Sequence, residues 1–452
     1  MDTATRYGMT ATQMAQALRE GHFSAVDLAE SCLARIDEVD GDIQAWTFID
    51  REHVLQQARD ADDSRAQGRA LGALHGVPVG IKDIIDTADM PTEDGTPLHA
   101  GRMPLQDAVV VARLRAAGAI VLGKTVTTEF AYFSPGKTRN PHHREHTPGG
   151  SSSGSAAAVA AEMVPLAIGT QTNGSVIRPA SYCGVHAFKP THGLVPRTGV
   201  LRLSRTLDQL GVFARSIDDL ALAAETLIGY DDGDPDTRPR AQPPLRRVAA
   251  ETPPLPPVIA FVRTPVWDEA DTETHEAFAE LASALGDRCR TVDLPESARE
   301  AVAWHRVIME AEMASNLEHD YEHGRSQLSD VLRALLERGR AVSAVDYQRA
   351  KARIDILNQG FAELFQSYDA ILTPAAGGVA PRGLTTTGSP VFCTLWTLCG
   401  MPALNLPLMH GSNGLPIGAQ LVGACGDDAR LLRTARWLES AVGTAAAAHD
   451  KE

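Results

Sequence analysis

The sequence predicts an α/β protein: a sheet with helices packed on it. Short apolar, strand-like runs alternate with helical segments from about Gly72 to Gly169, the pattern of strands covered by helices. The same alternation resumes after residue 257. The chain has 452 residues, 44% hydrophobic and 22% charged, an ordinary soluble composition with ample length for a large core.

The elements follow in order. Residues 1–65 read as helical. Thr10 and Gln13 form a capping box and Gly21 closes that helix. Ser24 caps a second helix, which sets Leu28, Cys32 and Ile36 on one face. Residues 66–230 carry strands at Val77–Ile81, Ile120–Leu122 and Val164–Ile168, with helices at Ala108–Ala117 and Ser155–Glu162 between them. Residues 231–257 are rich in Pro, Asp and Arg and read as a loop, neither helix nor strand. In residues 258–452, strands are expected at Val258–Val262, Thr291–Leu294, Ala370–Leu372, Leu404–Leu408 and Gly418–Val422. Helices are expected at Thr272–Leu285 and Asp428–Val442, with one long helical stretch from Glu296 to Phe365. Length alone is that of two or three domains. The C-terminal part continues the same alternation without an internal repeat, so it reads as completing one sheet.

Charge narrows the partners. Acidic residues outnumber basic ones 57 to 42, a net charge of −15, which disfavours nucleic acid and anionic membranes. Six scattered cysteines without a Cys-x-x-Cys pair read as reduced, buried thiols. The terminus Met1-Asp-Thr-Ala-Thr-Arg6 has no apolar h-region, and no apolar run approaches the roughly 20 residues needed to span a bilayer. The expected location is the cytoplasm.

Three segments carry chemistry. Thr147-Pro-Gly149-Gly150-Ser151-Ser-Ser-Gly-Ser155 and Gly169-Thr-Gln171-Thr172-Asn173-Gly174-Ser175-Val-Ile-Arg178-Pro are small-residue turns within one βα-sized span. Glycine brings backbone N–H groups close to a ligand, and serine is a nucleophile if a base takes its proton. Lys82 sits in an apolar setting with Ile81, Ile84 and Ile85; burial there lowers its pKa and makes it a candidate base. A Ser/Lys hydrolase is the first reading.

These motifs, in this order and at this separation, resemble the amidase signature family. Cys183-Gly-Val-His-Ala-Phe-Lys-Pro-Thr191, Leu207-Asp-Gln-Leu-Gly-Val-Phe-Ala-Arg215, Asp369-Ala-Ile-Leu-Thr-Pro374 and Leu415-Pro-Ile-Gly-Ala-Gln-Leu-Val-Gly423 extend the similarity over nearly the whole chain. The resemblance implies a single α/β/α unit with a large mixed β-sheet surrounded by many helices. It implies Ser175 as nucleophile and Ser151, after a cis peptide bond from Gly150, as proton relay to the neutral base Lys82. It implies an oxyanion hole made by the N–H groups of Thr172, Asn173, Gly174 and Ser175. Neither metal nor organic cofactor is implied. The expected reaction is acyl-enzyme hydrolysis of a small or aryl carboxamide, a carbamate or urea-like substrate being included. Relatives are often dimers, so a homodimer is one expected assembly. Two other readings are the glutaminase chain of a glutamyl-tRNA amidotransferase, its A chain, and a non-catalytic scaffold; the intact Lys82, Ser151 and Ser175 argue against the second.

One departure stands near the nucleophile. Many relatives carry Asp-Thr-Gly-Gly-Ser where this chain has Gln171-Thr-Asn173-Gly-Ser175. Gln171 removes a charge; Asn173 adds a side chain that narrows the pocket or touches substrate. Arg178 either binds a substrate carboxylate or forms a salt bridge that holds the loop. Gly149, Gly150, Gln171, Tyr132 and Trp396 are further candidate substrate contacts, Trp396 being equally readable as plain core. Asp83 reads as a local partner or a surface residue, and Ser152, Ser153 and Ser155 as ties to the loop or to Lys82. His142-His-Arg-Glu-His146 has the form of a zinc motif, but Pro141 and Pro148 bracket it and deny it the helix a metal site needs; an exposed loop is expected there.

Overall fold

A computed structural model describes residues 3–294 and 296–449. Met1 and Asp2, part of the terminus read above as lacking an h-region, lie outside them. Among the described residues, eleven strands form one mixed sheet, with sixteen α-helices around it. The strands are β1 (Trp46–Phe48), β2 (Pro78–Lys82), β3 (Ile120–Thr125), β4 (Leu166–Gln171), β5 (His186–Lys189), β6 (Gln209–Ala214), β7 (Ile259–Arg263), β8 (Cys289–Asp293), β9 (Ala370–Pro374), β10 (Ala403–His410) and β11 (Pro416–Val422). Their order is β1-β3-β2-β4-β6-β5-β10-β11-β9-β7-β8. β2 runs parallel to β3 and β4, and β7 parallel to β8 and β9; the other pairings are antiparallel. This is the large mixed α/β sheet that the sequence leads one to expect.

The central strands explain why the alternation is legible. β2, β3, β4, β6, β9 and β11 have no exposed position, so helices cover both of their faces and the sequence reads as apolar runs. Each fully buried Val, Leu or Ile contributes about 1.5–3 kcal/mol. The packed sheet therefore outweighs any single cap at about 1 kcal/mol. The edge strand β8 is largely exposed.

Both N-terminal capping boxes form, at Thr10 and Ser24, and Gly21 closes its helix at φ 75°. Leu28, Cys32 and Ile36 are buried together. Buried Asp219 accepts from the N–H groups of Ala11 (3.0 Å) and Thr12 (2.8 Å), which ties the Ala11–Glu20 helix to the Ile217–Leu227 helix.

Four features differ from expectation. β1 interrupts the N-terminal helices; three residues are too few for a period to register. β5 and β6 are not among the expected strands, although β6 is an apolar run like its neighbours. The Leu245–Ala250 helix lies inside the Pro-rich 231–257 stretch, where Pro243 and Pro244 precede the helix and do not interrupt it. The 296–365 stretch is several helices, including Ala301–Asn316, Asp330–Arg340 and Ala344–Leu364; Ser329 and Ser343 cap the last two. No helix among the described residues is long and apolar enough to cross a membrane.

Candidate active site

β2 delivers Lys82 to the interior. The side chain is fully buried, as are Ile81, Ile84 and Ile85. Its Nζ lies 2.7 Å from Ser151 Oγ and 2.8 Å from Thr170 Oγ1. Burial pushes its pKa well below the ordinary lysine value, against a weaker opposing pull from Asp208. The adjacent Asp83 is also buried, but it faces Lys124 at 3.7 Å; it is a local partner and not a surface residue.

The serine-rich turn is pinned from below. The Gly150–Ser151 peptide is cis. Ser152 Oγ donates to Thr170 O (3.2 Å), Ser153 Oγ to Val126 O (3.3 Å) and Ser155 Oγ to Ile168 O (3.1 Å). These serines tie the loop to the sheet, and Lys82 bonds Ser151 alone among them. A Cβ on Gly169 would sit 2.6 Å from Ser152 Oγ, so a side chain there would push the turn off β4.

The second turn is held from several sides. Gln171 Oε1 accepts from the N–H groups of Val176 (2.8 Å) and Ile177 (3.0 Å), and its Nε2 donates to Thr397 Oγ1 (2.9 Å). Thr397 Oγ1 donates to Asn173 O (2.5 Å), and Thr394 Oγ1 to Asn173 Oδ1 (2.7 Å). Thr172 Oγ1 donates to Asp208 Oδ1 (2.7 Å), and His305 Nε2 donates to Thr172 O (2.8 Å). Burial raises the Asp208 carboxyl to about 6 and lowers His305 to about 4. Among the described residues, none of the N–H groups of residues 172–175 donates to a backbone carbonyl outside the regular elements.

Ser151 and Ser175 line one cavity of about 340 Å³ of empty space, part of it open to solvent. Thr172, Asn173 and Gly174 border it, and Tyr132, Phe133, Leu203, Met309, Met313 and Pro390 make its wall largely apolar. A larger cavity of about 1340 Å³ shares Thr172 and Leu203 as walls but includes neither serine. The smaller one holds the reactive groups and is the candidate site.

Arg178 is the one cation among the described residues that line it. It is 1% exposed, with Nη2 donating to Gly150 O (2.6 Å) and Thr387 Oγ1 (3.2 Å). Its Nε and Nη1 have no hydrogen-bond partner. The salt bridge considered from the sequence does not form among the described residues. A buried cation without a counter-charge costs several kcal/mol.

Four sequence candidates do not line the cavity. Gly149 packs on Pro179 and Tyr182. Gln171 is spent on holding the turn. Trp396 is fully buried with its ring 5.3 Å from Phe361, so it is core. Gly150 contributes its carbonyl to Arg178. In the His142–His146 segment there is no helix. Its His142 Nε2 donates to Cys183 O (2.9 Å) and its His146 Nδ1 to Ala380 O (2.7 Å). His142 and His143 are exposed, as expected for a loop, while half-buried His146 is tied by its hydrogen bond.

The family described as Amidase matches residues 27–432 of this chain. The chain belongs to that family. The A chain of the glutamyl-tRNA(Gln) amidotransferase of Chloroflexus aggregans is 35% identical over 94% of this chain and 94% of its own length. A solved chain from a vestigial protein complex, described as revealing the evolutionary origins of an s-triazine catabolic enzyme, superposes with a TM-score of 0.90 at 30% identity, covering 96% of this chain and 98% of its own. The native peptide amidase of Stenotrophomonas maltophilia superposes at 0.85 with 28% identity, covering 96% and 97%. The protein is thus an amidase-family enzyme of C–N bond chemistry.

Sequence reasoning misses several groups in this amidase's site. Thr170 and Asp208 lie within the motifs given above, and Thr394 and Thr397 flank Trp396, but nothing in their local pattern marks the contacts they make. His305, Met309 and Met313 sit in an ordinary helical stretch; their four-residue spacing is the only signal, and it reads equally as core.

Proposed function

We propose that this amidase hydrolyses a small carboxamide carrying a carboxylate, through Ser175, Ser151 and Lys82. The observation that carries the reading is the buried, deprotonation-prone Lys82 amine 2.7 Å from Ser151 Oγ, with Ser151 and Ser175 facing one cavity. Lys82 takes the Ser151 proton while Ser151 takes that of Ser175, and Ser175 Oγ bonds to the amide carbon. The charge developing on the carbonyl oxygen is met by N–H groups of residues 172–175, commonly the largest catalytic contribution. Ser151 returns the proton to the departing amine, which leaves as a neutral molecule. Water then attacks the acyl-enzyme, its proton passing along the same relay, and Ser175 is regenerated.

Arg178 supports the substrate class. A buried cation that lines the cavity and keeps unpartnered guanidinium N–H groups suits a charge-assisted hydrogen bond to a carboxylate. The apolar wall suits a short linker between carboxylate and amide. The test compares monoamides of short dicarboxylic acids with neutral amides of equal length. Wild type should favour the anionic amide by about 100-fold in kcat/KM, and Arg178→Met should lose that preference. Equal turnover of both amides by wild type would sink the substrate class.

The 35% identity to the A chain of an amidotransferase favours a second reading, glutamine as ammonia donor. Glutamine also bears a carboxylate, but its α-ammonium needs an anionic partner, and no described residue lining the cavity is acidic. Turnover of glutamine that appears only on adding the other amidotransferase chains and tRNA would establish this second reading in place of the first.

A further inference from the structure

The Ala301–Asn316 helix presents His305, Met309 and Met313 at four-residue intervals, the spacing of one helical face. Met309 and Met313 line the cavity beside Ser175. His305, one turn earlier and 1% exposed, donates to the Thr172 carbonyl at 2.8 Å. A carbonyl only accepts, so His305 carries its proton on Nε2. The low pKa that burial imposes keeps the ring neutral at physiological pH.

The peptide unit explains why this bond matters. Thr172 C=O and Asn173 N–H belong to one rigid plane and point in opposite directions. Holding the carbonyl fixes the direction of the N–H. Thr397 does the same for the next unit by donating to Asn173 O, which sets the Gly174 N–H. We infer that His305 is a positioning residue that aims the Asn173 N–H at the developing oxyanion, and that its helix joins this aim to the wall of the substrate pocket. The inference rests on the assignment of Ser175 as nucleophile.

The test uses a substrate-independent probe, an alkyl fluorophosphonate, whose phosphoryl oxygen needs the same N–H donors. Maximal labelling rate and half-saturating concentration are measured for wild type, Ser175→Ala, His305→Phe, His305→Gln and His305→Asn. The glutamine amide nitrogen lies as many bonds from Cβ as histidine Nε2; that of asparagine lies one bond short. His305→Phe and His305→Asn should lose about tenfold to a hundredfold in maximal rate with little change in half-saturation. His305→Gln should stay within about threefold of wild type. Should phenylalanine and wild type label at equal rates, or glutamine restore no more than asparagine, the positioning role is overturned. Gln and Asn are both polar and similar in bulk, so a general folding defect would not separate them. Labelling of Ser175→Ala as fast as wild type would instead overturn the nucleophile assignment, and the inference with it.

Discussion

At the scale of single residues, the chemistry turns on whether one amine is charged. Lys82 has no ion-pair partner among the described residues, and burial disfavours its ammonium form. Its pKa is depressed, so the neutral base is present above that pKa and lost below it. Activity should therefore fall as pH drops through an acid limb. Lys82→Ala should cost several orders of magnitude in kcat and abolish the limb, while Ser175→Ala should leave a folded protein without turnover. A rate that stays flat into mild acid, or full activity in Ser175→Ala, would contradict the proton path. The two serines and the lysine are legible in the sequence because each sits in a contiguous small-residue or apolar motif. Arg178 is legible as a cation near the nucleophile, but its lack of a counter-ion is not, since that depends on what the fold fails to bring close. His305 lies 130 residues beyond Ser175 and leaves no local trace.

Among elements, the clearest ties are side chains that finish another element's hydrogen bonds. Asp219 takes two N–H groups at the start of the Ala11–Glu20 helix, and its carboxylate also accepts from Thr12 Oγ1 (2.8 Å). Asp219→Ala leaves buried donors unsatisfied and should lower unfolding stability by about 1–3 kcal/mol, read from urea denaturation; no change in midpoint would show that water replaces the carboxylate. The capping boxes at Thr10 and Ser24 are legible because they are three-residue patterns. Asp219 is not, because its partners are 207 and 208 residues away. The four-residue β5 escapes for a related reason, since its pairing with β10 and β6 leaves no period in so short a run; β6 is an apolar run that composition alone marks.

Over the whole molecule, a histidine of the β2–β3 connection ties that segment to a helix more than 200 residues further along the chain. His99 lies 2.7 Å from Asp94 and 2.9 Å from Asp320, which sits on the Glu318–Gly324 helix. Hydrogen bonds donated by its ring N–H groups, first to Asp320 and then to Asp94, raise its pKa to about 9. A raised pKa means that the folded state holds the proton more tightly. The stabilisation is fully present below the unfolded value of about 6.5 and is lost as pH climbs through about 9. Wild type should accordingly exceed His99→Ala in stability at pH 6, with the gap closing by pH 10. A gap that is constant across that range would mean the tie is packing alone.

The pairing of β5 with β10 has a consequence for the order of events during synthesis. Residues 82–209 carry the proposed reacting groups, while His305, Thr394 and Thr397, which brace them, are made later. A nascent chain that stops at residue 250 exposes the bare edge of β5 and has no prop under its second turn. Completion of the candidate site therefore waits until the segment that carries Thr394 and Thr397 has been made and β10 pairs with β5.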